Sequence, residues 1–372
     1  MSTGRAALVG VLAGVAGALL AGAPAQAHGG DAPNGTDYRT VVTAVSPTVD
    51  GLTVRTVEAG ARLELRNRTG RTIEVLGYQG EPYLEVRPDG VYENVRSPAT
   101  YLNVSLAGDN QPPPNTADAT RPPQWRKTSD EPVARWHDHR THWMTAAPPP
   151  QVAADPTRPH RIRDWTVPLR DGTGTVTVHG TLDWQPPPMA ALWWAATLLT
   201  AAVVGALGSL AAGRAATGNT LAVLAVAGGL VAVGYAVARE VDAGAAGPGA
   251  FALGLLLGQV WTVLTGLTAV AAGVFALAGR QAGDFALALA GVCLAAFAGL
   301  PNVAVFGRAI APIPGPAWSA RLMVLAVVGI GAGLAAAGVL RLGAASRAAA
   351  AAADPTQPPQ TDPTQPPQTG GQ

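Results

Sequence analysis

Five apolar stretches fill the second half of this sequence, and they restrict the chain to the architecture of a membrane protein. They cover about residues 189–212, 220–238, 252–278, 284–300 and 318–340. A helix of about 20 apolar residues crosses the ~30 Å hydrocarbon core of a bilayer and satisfies its own backbone hydrogen bonds there. The sequence therefore predicts an α-helical membrane domain of about five transmembrane helices over residues 188–342.

The charged residues are concentrated ahead of these stretches. Residues 28–187 contain 17 Arg and Lys and 19 Asp and Glu, whereas residues 188–347 contain 7 and 3. The first segment has the composition of a water-soluble domain and the second that of a lipid-embedded one. A net charge of +1 without a basic cluster argues against a nucleic-acid partner, because neutralising phosphates requires Arg or Lys gathered on one face.

The N-terminus has the pattern of a secretory signal peptide over residues 1–27. Arg5 precedes an apolar run, and Ala25 and Ala27 supply the small residues of a cleavage site. Cleavage after Ala27 makes His28 the first residue of the mature chain. Cleavage after Ala25 and an uncleaved signal anchor are the alternatives. In each case the domain that follows is expected outside the cytoplasm.

Residues 28–187 are expected to form an extracytoplasmic all-β domain, an antiparallel sandwich of immunoglobulin-like or cupredoxin-like type. Apolar and polar residues alternate with a period of two in 39–45, 51–57, 62–66, 71–76, 164–169 and 174–184. In the last of these segments Val176 and Val178 share one face, which places His179 on the solvent face. Residues 107–131 are expected to form a long surface loop. The single cysteine, Cys293, excludes an intramolecular disulfide.

With this domain exported, the five helices predict a multi-pass plasma-membrane protein with its C-terminus in the cytoplasm. The spans then place four arginines inside and three outside, a weak positive-inside excess: Arg214, Arg280, Arg341 and Arg347 against Arg239, Arg308 and Arg321. Residues 343–372 include a repeated Pro- and Gln-rich unit and are expected to be a disordered cytoplasmic tail.

The segment from Trp136 to Met144, Trp-His-Asp-His-Arg-Thr-His-Trp-Met, carries the strongest chemical signal in the exported domain. Neutral imidazoles are common ligands of copper and zinc. His137 and His139 share a face on a strand, whereas His139 and His142 share one on a helix, so either local structure presents a pair. The spacing therefore predicts a transition-metal site.

Copper is the ion that this set of donors favours. A mature N-terminal His28 offers its amine and its ring, which together with a second histidine suit copper(II), and the Met144 thioether suits copper(I). Asp138 is expected to orient a ring nitrogen, and Trp136 and Trp143 are expected to shield the cluster. The predicted metal ligands are therefore His28, His137, His139, His142 and Met144.

Other interpretations of the same segment stay open. Zinc is the alternative ion, and a zinc-dependent extracytoplasmic enzyme with Glu81 as its base is a further hypothesis. Three histidines also suit a hydrogen-bonded or pH-sensitive surface structure. The turn that contains Tyr78, Glu81 and Tyr83 is expected to pack on the sheet rather than to bind a ligand. We predict no catalytic residue and no enzyme, because no serine elbow, phosphate-binding glycine loop or zincin helix is present.

The apolar half contains no histidine, and its acidic residues lie at or near the ends of the predicted spans. Ionisable residues inside a membrane usually mark an ion path, so a metal pump or a proton-coupled transporter is not expected. A small polar route is the alternative hypothesis, with four residues that could line it: Gln259, Thr262, Thr265 and Asn302.

Two resemblances extend this account. Residues 39–184 resemble a family of bacterial membrane proteins with an exported β domain, through Gly80-Glu-Pro-Tyr-Leu84, Ser97-Pro-Ala-Thr-Tyr-Leu102 and the histidine segment. That likeness implies a family without implying an activity. The order of signal, exported domain, histidine cluster and helices is also similar to bacterial envelope copper-binding proteins with an N-terminal histidine, although their Met-rich tracts are missing here. It implies copper binding in envelope metal acquisition or homeostasis.

The alternative function is a non-metal envelope module that binds a protein partner or has a structural role. With either function, membrane lipid is expected to surround the second half of the chain.

Overall fold

A computed structural model describes residues 35–104, 112–210, 215–245, 247–280 and 282–352. The predicted signal peptide, His28 and the Pro- and Gln-rich repeats lie outside these residues. Within them the chain forms an antiparallel β domain followed by five long apolar helices. This arrangement confirms the predicted order of a β domain and a helical membrane domain.

The described residues of the β domain form two antiparallel sheets. One contains seven strands in the order β1-β10-β9-β4-β5-β6-β7, and the other contains β2-β3-β8. The strands are β1 Tyr38–Ser46, β2 Leu52–Val57, β3 Arg62–Asn67, β4 Ile73–Leu76, β5 Pro82–Arg87, β6 Gly90–Asn94, β7 Trp125–Ser129, β8 Val133–Trp136, β9 His160–Asp171 and β10 Gly174–Trp184. The prediction of a surface loop over residues 107–131 is wrong for its last part. Strand β7 lies there and pairs with β6 as an edge strand.

The two sheets bury their apolar faces in one core. Leu63 and Leu65 enter it from β3 of the small sheet, and Val167 and Leu169 enter it from β9 of the large sheet. Two short helices belong to this domain, α1 Pro98–Leu102 and α2 Pro150–Ala154. The side chain of Ser97 accepts a hydrogen bond from the Ala99 amide at the start of α1, as expected for an N-cap.

Strand β10 has the alternation that the sequence predicts. Val176, Val178 and Gly180 are buried, whereas His179 is partly exposed on the other face. Gly180 lies directly against the ring of Trp165 on the paired strand, where a Cβ atom would clash with the indole. A glycine is therefore required here for the close packing of a large aromatic ring.

The membrane part contains α3 Ala190–Leu210, α4 Ala215–Ala243, α5 Pro248–Leu257, α6 Val260–Leu277, α7 Gly283–Cys293 and α8 Ala317–Ala352. Five of its helices are long and apolar enough to cross a membrane, when α7 is counted with its continuation to Gly307. The predicted third stretch, 252–278, is divided at Gly258 into α5 and α6. Helix α5 is too short to span, since 10 residues rise only about 15 Å.

Helix α7 loses its regular geometry before its span ends. A π-helical turn at Leu294–Gly299 is followed by 3-10 geometry at Leu300–Gly307. Pro301 lacks the amide donor of a regular helix, which explains a distortion at this place. The buried Asn302 donates to the Ala298 carbonyl (2.9 Å) and accepts from Arg239 (2.7 Å). Its polar groups are thus bonded within the helix bundle.

The β domain contacts the membrane part at the connections between helices. Asp242, near the end of α4, accepts a hydrogen bond from the Ala59 amide (2.7 Å). After the fourth span, Ile310 pairs with Thr36 in an isolated β-bridge. The end of α4, the end of the fourth span at Gly307 and the start of α8 therefore lie on the same side of the helix bundle as the β domain.

A buried carboxylate organises part of this contact. Glu64 is 1% exposed and accepts from Arg55 and Arg135 (2.8 Å each) and from Arg66 (2.7 Å). Arg66 and Arg135 also donate to the carbonyl of Gly244, just beyond α4, where the negative end of the helix dipole favours cations. Burial raises the pKa of Glu64, but the hydrogen bonds from the arginines outweigh it and lower the pKa overall.

We predict that Glu64→Gln lowers the free energy of unfolding of the full chain in detergent by roughly 2–3 kcal/mol. This is less than the full cost of breaking a buried pair, because the guanidinium groups are partly exposed. Glu74→Gln removes the more exposed pair with Arg170 and is the matched control, with a change below about 1 kcal/mol. Thermal unfolding followed by circular dichroism measures both variants.

The same carboxylate predicts a pH dependence. Because the folded-state pKa of Glu64 is lowered, its stabilisation is fully present above the ordinary carboxyl pKa of about 4.5 and is lost as the pH falls through the folded value. The difference in stability between the native chain and Glu64→Gln should therefore shrink below about pH 4. A difference that stays constant down to pH 3 would contradict the assignment.

Candidate functional site

The histidine segment leaves the small sheet at the end of β8. Strand β8 pairs with β3 up to Trp136, and a single 3-10 turn follows at His139–Thr141. Asp138 caps this turn by accepting from the Arg140 amide (3.0 Å). The segment is thus neither the strand nor the α-helix that the sequence left open, and the turn brings all three histidines together.

The three rings form one cluster. The centroids of His137 and His142 are 4.2 Å apart, and those of His137 and His139 are 5.5 Å apart. Two side chains hold the backbone of the segment in place. Thr40 donates to the Thr141 carbonyl (2.9 Å), and Arg163 donates to the carbonyls of His139 and His142. The rings are therefore fixed by contacts from β1 and β9.

Asp138 is fully buried and holds the segment rather than a ring. Its carboxylate accepts from Trp136 Nε1 (3.0 Å) and from Arg140 Nε and Nη2 (2.8 Å each). Burial raises the pKa of Asp138, but the Arg140 and Trp136 hydrogen bonds lower it below its ordinary value. The prediction that this carboxylate orients a ring nitrogen is wrong, because its oxygens bond to Trp136 and Arg140.

His137 has one bonded and one unbonded ring nitrogen. Its Nδ1 lies 2.9 Å from the Ala61 carbonyl, so Nδ1 carries the proton and Nε2 carries the lone pair. The residue is 3% exposed, and Nε2 has no hydrogen-bond partner among the described residues. Burial, followed by the neighbouring His142, lowers the pKa of His137 to about 3. The ring is thus neutral at physiological pH.

His139 also has an unbonded ring nitrogen. Its Nε2 is buried and has no hydrogen-bond partner in the described part of the chain, although the residue as a whole is half-buried. Burial lowers the pKa of His139, and the charge of Asp138 and the backbone of Leu102 oppose that effect. The site therefore holds two imidazoles, each with a buried Nε2 that has no partner among the described residues.

His142 differs from the other two. Its Nδ1 lies 2.9 Å from the Asp138 carbonyl, and its Nε2 lies 3.0 Å from the Gly60 carbonyl. Burial lowers the pKa of His142, while these two carbonyls oppose the shift. Since a neutral imidazole has one N–H, Nε2 donates to the Gly60 carbonyl and Nδ1 can accept from the Thr141 hydroxyl, 2.8 Å away. The ring therefore links the histidine segment to the turn around Gly60 and has no unbonded nitrogen to offer.

The turn that receives these rings has an unusual backbone. Glu58, Ala59 and Gly60 have φ angles of 57°, 56° and 89°, and left-handed conformations cost energy for residues other than glycine. The Ala59 amide bonds Asp242 of α4, and the carbonyls of Gly60 and Ala61 bond His142 and His137. The turn therefore joins the histidine cluster to the membrane part.

Two predicted ligands remain, Met144 and His28. Met144 is partly buried just beyond the cluster, and His28 lies outside the described residues. Among the residues that have coordinates here, no group of three or more His, Cys, Asp and Glu is arranged to hold a metal ion. A metal bound by His137 and His139 would therefore need at least one further ligand of another kind or from another part of the chain.

The turn containing Glu81 packs against the sheet, as the sequence analysis expects. Glu81 is buried and accepts from Ser97 Oγ (2.7 Å) and from the Gln79 amide (2.9 Å). Tyr78 donates to the Asn103 side chain and accepts from the His139 amide (2.9 Å). These groups brace the histidine segment, and the bonded carboxylate of Glu81 does not favour a role as a catalytic base.

Three contributors to the site were missed by sequence reasoning. Asn103 holds Tyr78, Arg163 holds two carbonyls of the segment, and Gly60 accepts from His142. Each acts from a strand or loop that is distant in the sequence, so local spacing gives no signal for it. The only available signal was the turn-forming glycine at position 60.

This chain matches none of the known protein families, curated proteins or solved structures with which it was compared. Its function is therefore inferred from the chemistry of its own residues.

We predict that Asp138→Asn lowers the free energy of unfolding of the full chain by about 3 kcal/mol, because Arg140 is left without a carboxylate in a mostly buried position. Thermal unfolding followed by tryptophan emission measures the change, and the emission of the native state should also shift because Trp136 loses a charged partner. Asp164→Asn, at an exposed ion pair with Arg161, is the control. Equal stabilities of the two variants would contradict this role of Asp138.

Proposed function

We propose that the β domain binds one transition-metal ion, preferably copper, through Nε2 of His137 and Nε2 of His139. The observation that carries this proposal is the pair of buried Nε2 atoms of His137 and His139, which have no partner among the described residues and belong to rings whose pKa values are lowered. Buried polar atoms are normally hydrogen-bonded, and an exception calls for an explanation such as a bound ion. A metal would use both lone pairs at once.

The hydrogen bond of the His137 ring is that of a typical metal-binding histidine. A ligating histidine usually donates its second ring N–H to a carbonyl or carboxylate, which fixes the tautomer. His137 has this bond to the Ala61 carbonyl. The low pKa values add to the effect, because a proton competes weakly with the metal for each ring.

The spacing of the rings is compatible with one shared ion. A metal ~2.1 Å from each Nε2 lies roughly 3.2 Å from each ring centre, so the two centres can be up to ~6.4 Å apart. The centroids of His137 and His139 are separated by 5.5 Å. This separation supports a bent arrangement with room for further ligands.

His28 is the further ligand that we propose. It lies eight residues before Thr36, which pairs with Ile310, and this stretch spans at most about 28 Å when extended. Thr40, four residues further on, contacts the histidine segment through Thr141. Cleavage after Ala27 would give His28 two nitrogen donors, a set that favours copper over oxygen-preferring ions. Met144 follows the cluster and is the candidate ligand for the reduced ion. His142 is not proposed as a ligand.

The proposal also includes the location of the protein in the cell. The signal sequence supports export of the β domain, with the five helices in the plasma membrane and the C-terminus in the cytoplasm. All six histidines precede residue 180, so the helices contribute none to a metal path. We therefore propose holding or delivering copper in the envelope, in metal acquisition or homeostasis, rather than pumping it.

A non-metal envelope module is the second candidate. It is favoured by His142, whose two bonded nitrogens give the cluster a purely structural link to the turn at Gly60. In that case the histidine segment stabilises a surface that binds another envelope protein, and metal would be irrelevant to it.

Calorimetric titration of the full chain, purified in detergent with His28 as its first residue, separates these candidates. We predict copper(II) binding tighter than zinc(II) binding, and a loss of at least tenfold in copper affinity, about 1.4 kcal/mol, for both His137→Ala and His139→Ala. His179→Ala changes a ring on the outer face of β10 and is the matched control, with no loss. Affinities of the two site variants that equal the control would contradict the proposal.

One extra residue ahead of His28 tests the third ligand separately. It removes the free amine of the histidine while leaving the β domain unchanged. We predict weaker copper binding with unchanged thermal stability of the metal-free chain. Unchanged binding would exclude the N-terminal amine and leave the other ligands to be found elsewhere.

A further inference from the structure

A cavity of about 780 Å³ lies where the β domain meets the helices. Its walls come from both parts of the protein: β1 and β2 with the turn at Gly60 on one side, and the segment 309–317 with Arg321 and Asp242 on the other. This volume suits a molecule larger than a single ion. The histidine rings are not among its lining residues, so this site is separate from the proposed metal site, although both adjoin the turn at Gly60.

Arg321 gives the cavity an uncompensated charge. It is 8% exposed, and its guanidinium donates to the carbonyls of Val305 (3.0 Å), Arg308 (2.6 Å) and Ala309 (3.2 Å). None of the ion pairs among the described residues includes it; the nearby Asp37 pairs with Arg308 instead (2.6 Å). A buried cation without a carboxylate is costly and commonly marks a functional site.

Other polar groups around the cavity also favour an anion. Arg39 lines it, is exposed and has no ion-pair partner in the described part of the chain. Helix α8 begins at Ala317 on the cavity wall, so the positive end of a long helix dipole adds to the field. Asp242 is the acidic group of the wall, and its Oδ2 accepts from the Ala59 amide. The charged groups of the wall are thus two guanidinium groups and one carboxylate.

Tryptophans place this cavity at the level of lipid headgroups. Trp193, Trp261 and Trp318 lie within the first turns of α3, α6 and α8, on the side of the β domain, and the last two are 46% and 55% exposed. Tryptophan is enriched at membrane–water interfaces. Arg321 lies one turn below Trp318 and contacts the Trp193 ring (5.9 Å to its centroid).

The rest of the wall is apolar. Pro186, Pro188, Ile310, Ala311 and Ile313 line the cavity beside its polar groups. An anion-binding end and an apolar remainder in one cavity at this depth match an anionic amphiphile rather than a small soluble anion.

We propose that this cavity binds the phosphate headgroup of an anionic phospholipid. Arg321 and Arg39 contact the phosphate, and the glycerol and upper acyl chains lie against the apolar wall. The lipid then fills the joint between the β domain and the helices, and it links the stability of that joint to the composition of the membrane.

The test uses the full chain purified in detergent and relipidated with defined lipids. We expect phosphatidylglycerol to raise the unfolding temperature by about 3 °C or more, and native mass spectrometry to retain at least one molecule of it. Phosphatidylcholine, which has no net charge, should give less than half of this shift. Glycerol phosphate distinguishes a lipid from a free anion as the ligand. A shift of the unfolding temperature equal to that with phosphatidylglycerol would support a phosphate site but would overturn its assignment to a lipid.

Variants locate the site. Arg39→Gln changes an exposed side chain that has no hydrogen bond or ion pair to the described residues, and it should reduce phosphatidylglycerol retention at least threefold. Arg321→Gln should abolish retention, and Arg39→Gln keeps the proposal testable if Arg321→Gln fails to fold. Arg347→Gln, at the opposite end of α8, is the control and should retain the lipid. Equal shifts with both lipids, or retention unaffected by Arg39→Gln, would overturn the proposal.

Discussion

The strained turn from Glu58 to Gly60 is the feature on which the rest of this structure depends. Three consecutive left-handed residues would not persist in isolation, and the contacts that hold them come from two directions. On the membrane side, Asp242 accepts from the Ala59 amide. On the other side, His142 bonds the carbonyl of Gly60 and His137 bonds that of Ala61. Any displacement of the histidine segment would therefore change the contacts of the turn with the end of α4.

Burial explains why the histidines can be more than structural support. Asp138, Arg140 and Trp136 satisfy one another, so the charge nearest to the rings is already paired. The rings themselves are desolvated, which disfavours their protonated forms, and the Nε2 atoms of His137 and His139 have no partner among the described residues. The same burial makes an unbonded nitrogen costly. A ligand that uses these lone pairs would relieve that cost, whereas His142 satisfies its needs through the backbone.

Periodicity predicted much of the fold, and distance along the chain explains what it could not predict. The alternation in β10 identified Val176 and Val178 as core residues, because burial on one face repeats every second residue. The grouping of the histidines followed from their short spacing. The division of an apolar stretch at Gly258 has no comparable signal, since both halves are equally apolar. The ion pairs of Glu64 and the bracing by Arg163 join segments that only the tertiary fold brings together.

The central claim is that His137 and His139 bind one metal ion together. Pulsed electron paramagnetic resonance of the full chain loaded with one equivalent of copper(II) tests it most directly, because the remote ring nitrogen of each coordinated imidazole modulates the signal. The account predicts modulation from at least two imidazoles, reduced when either residue is replaced. A spectrum without imidazole modulation, or one unchanged when both residues are replaced by alanine, would contradict it.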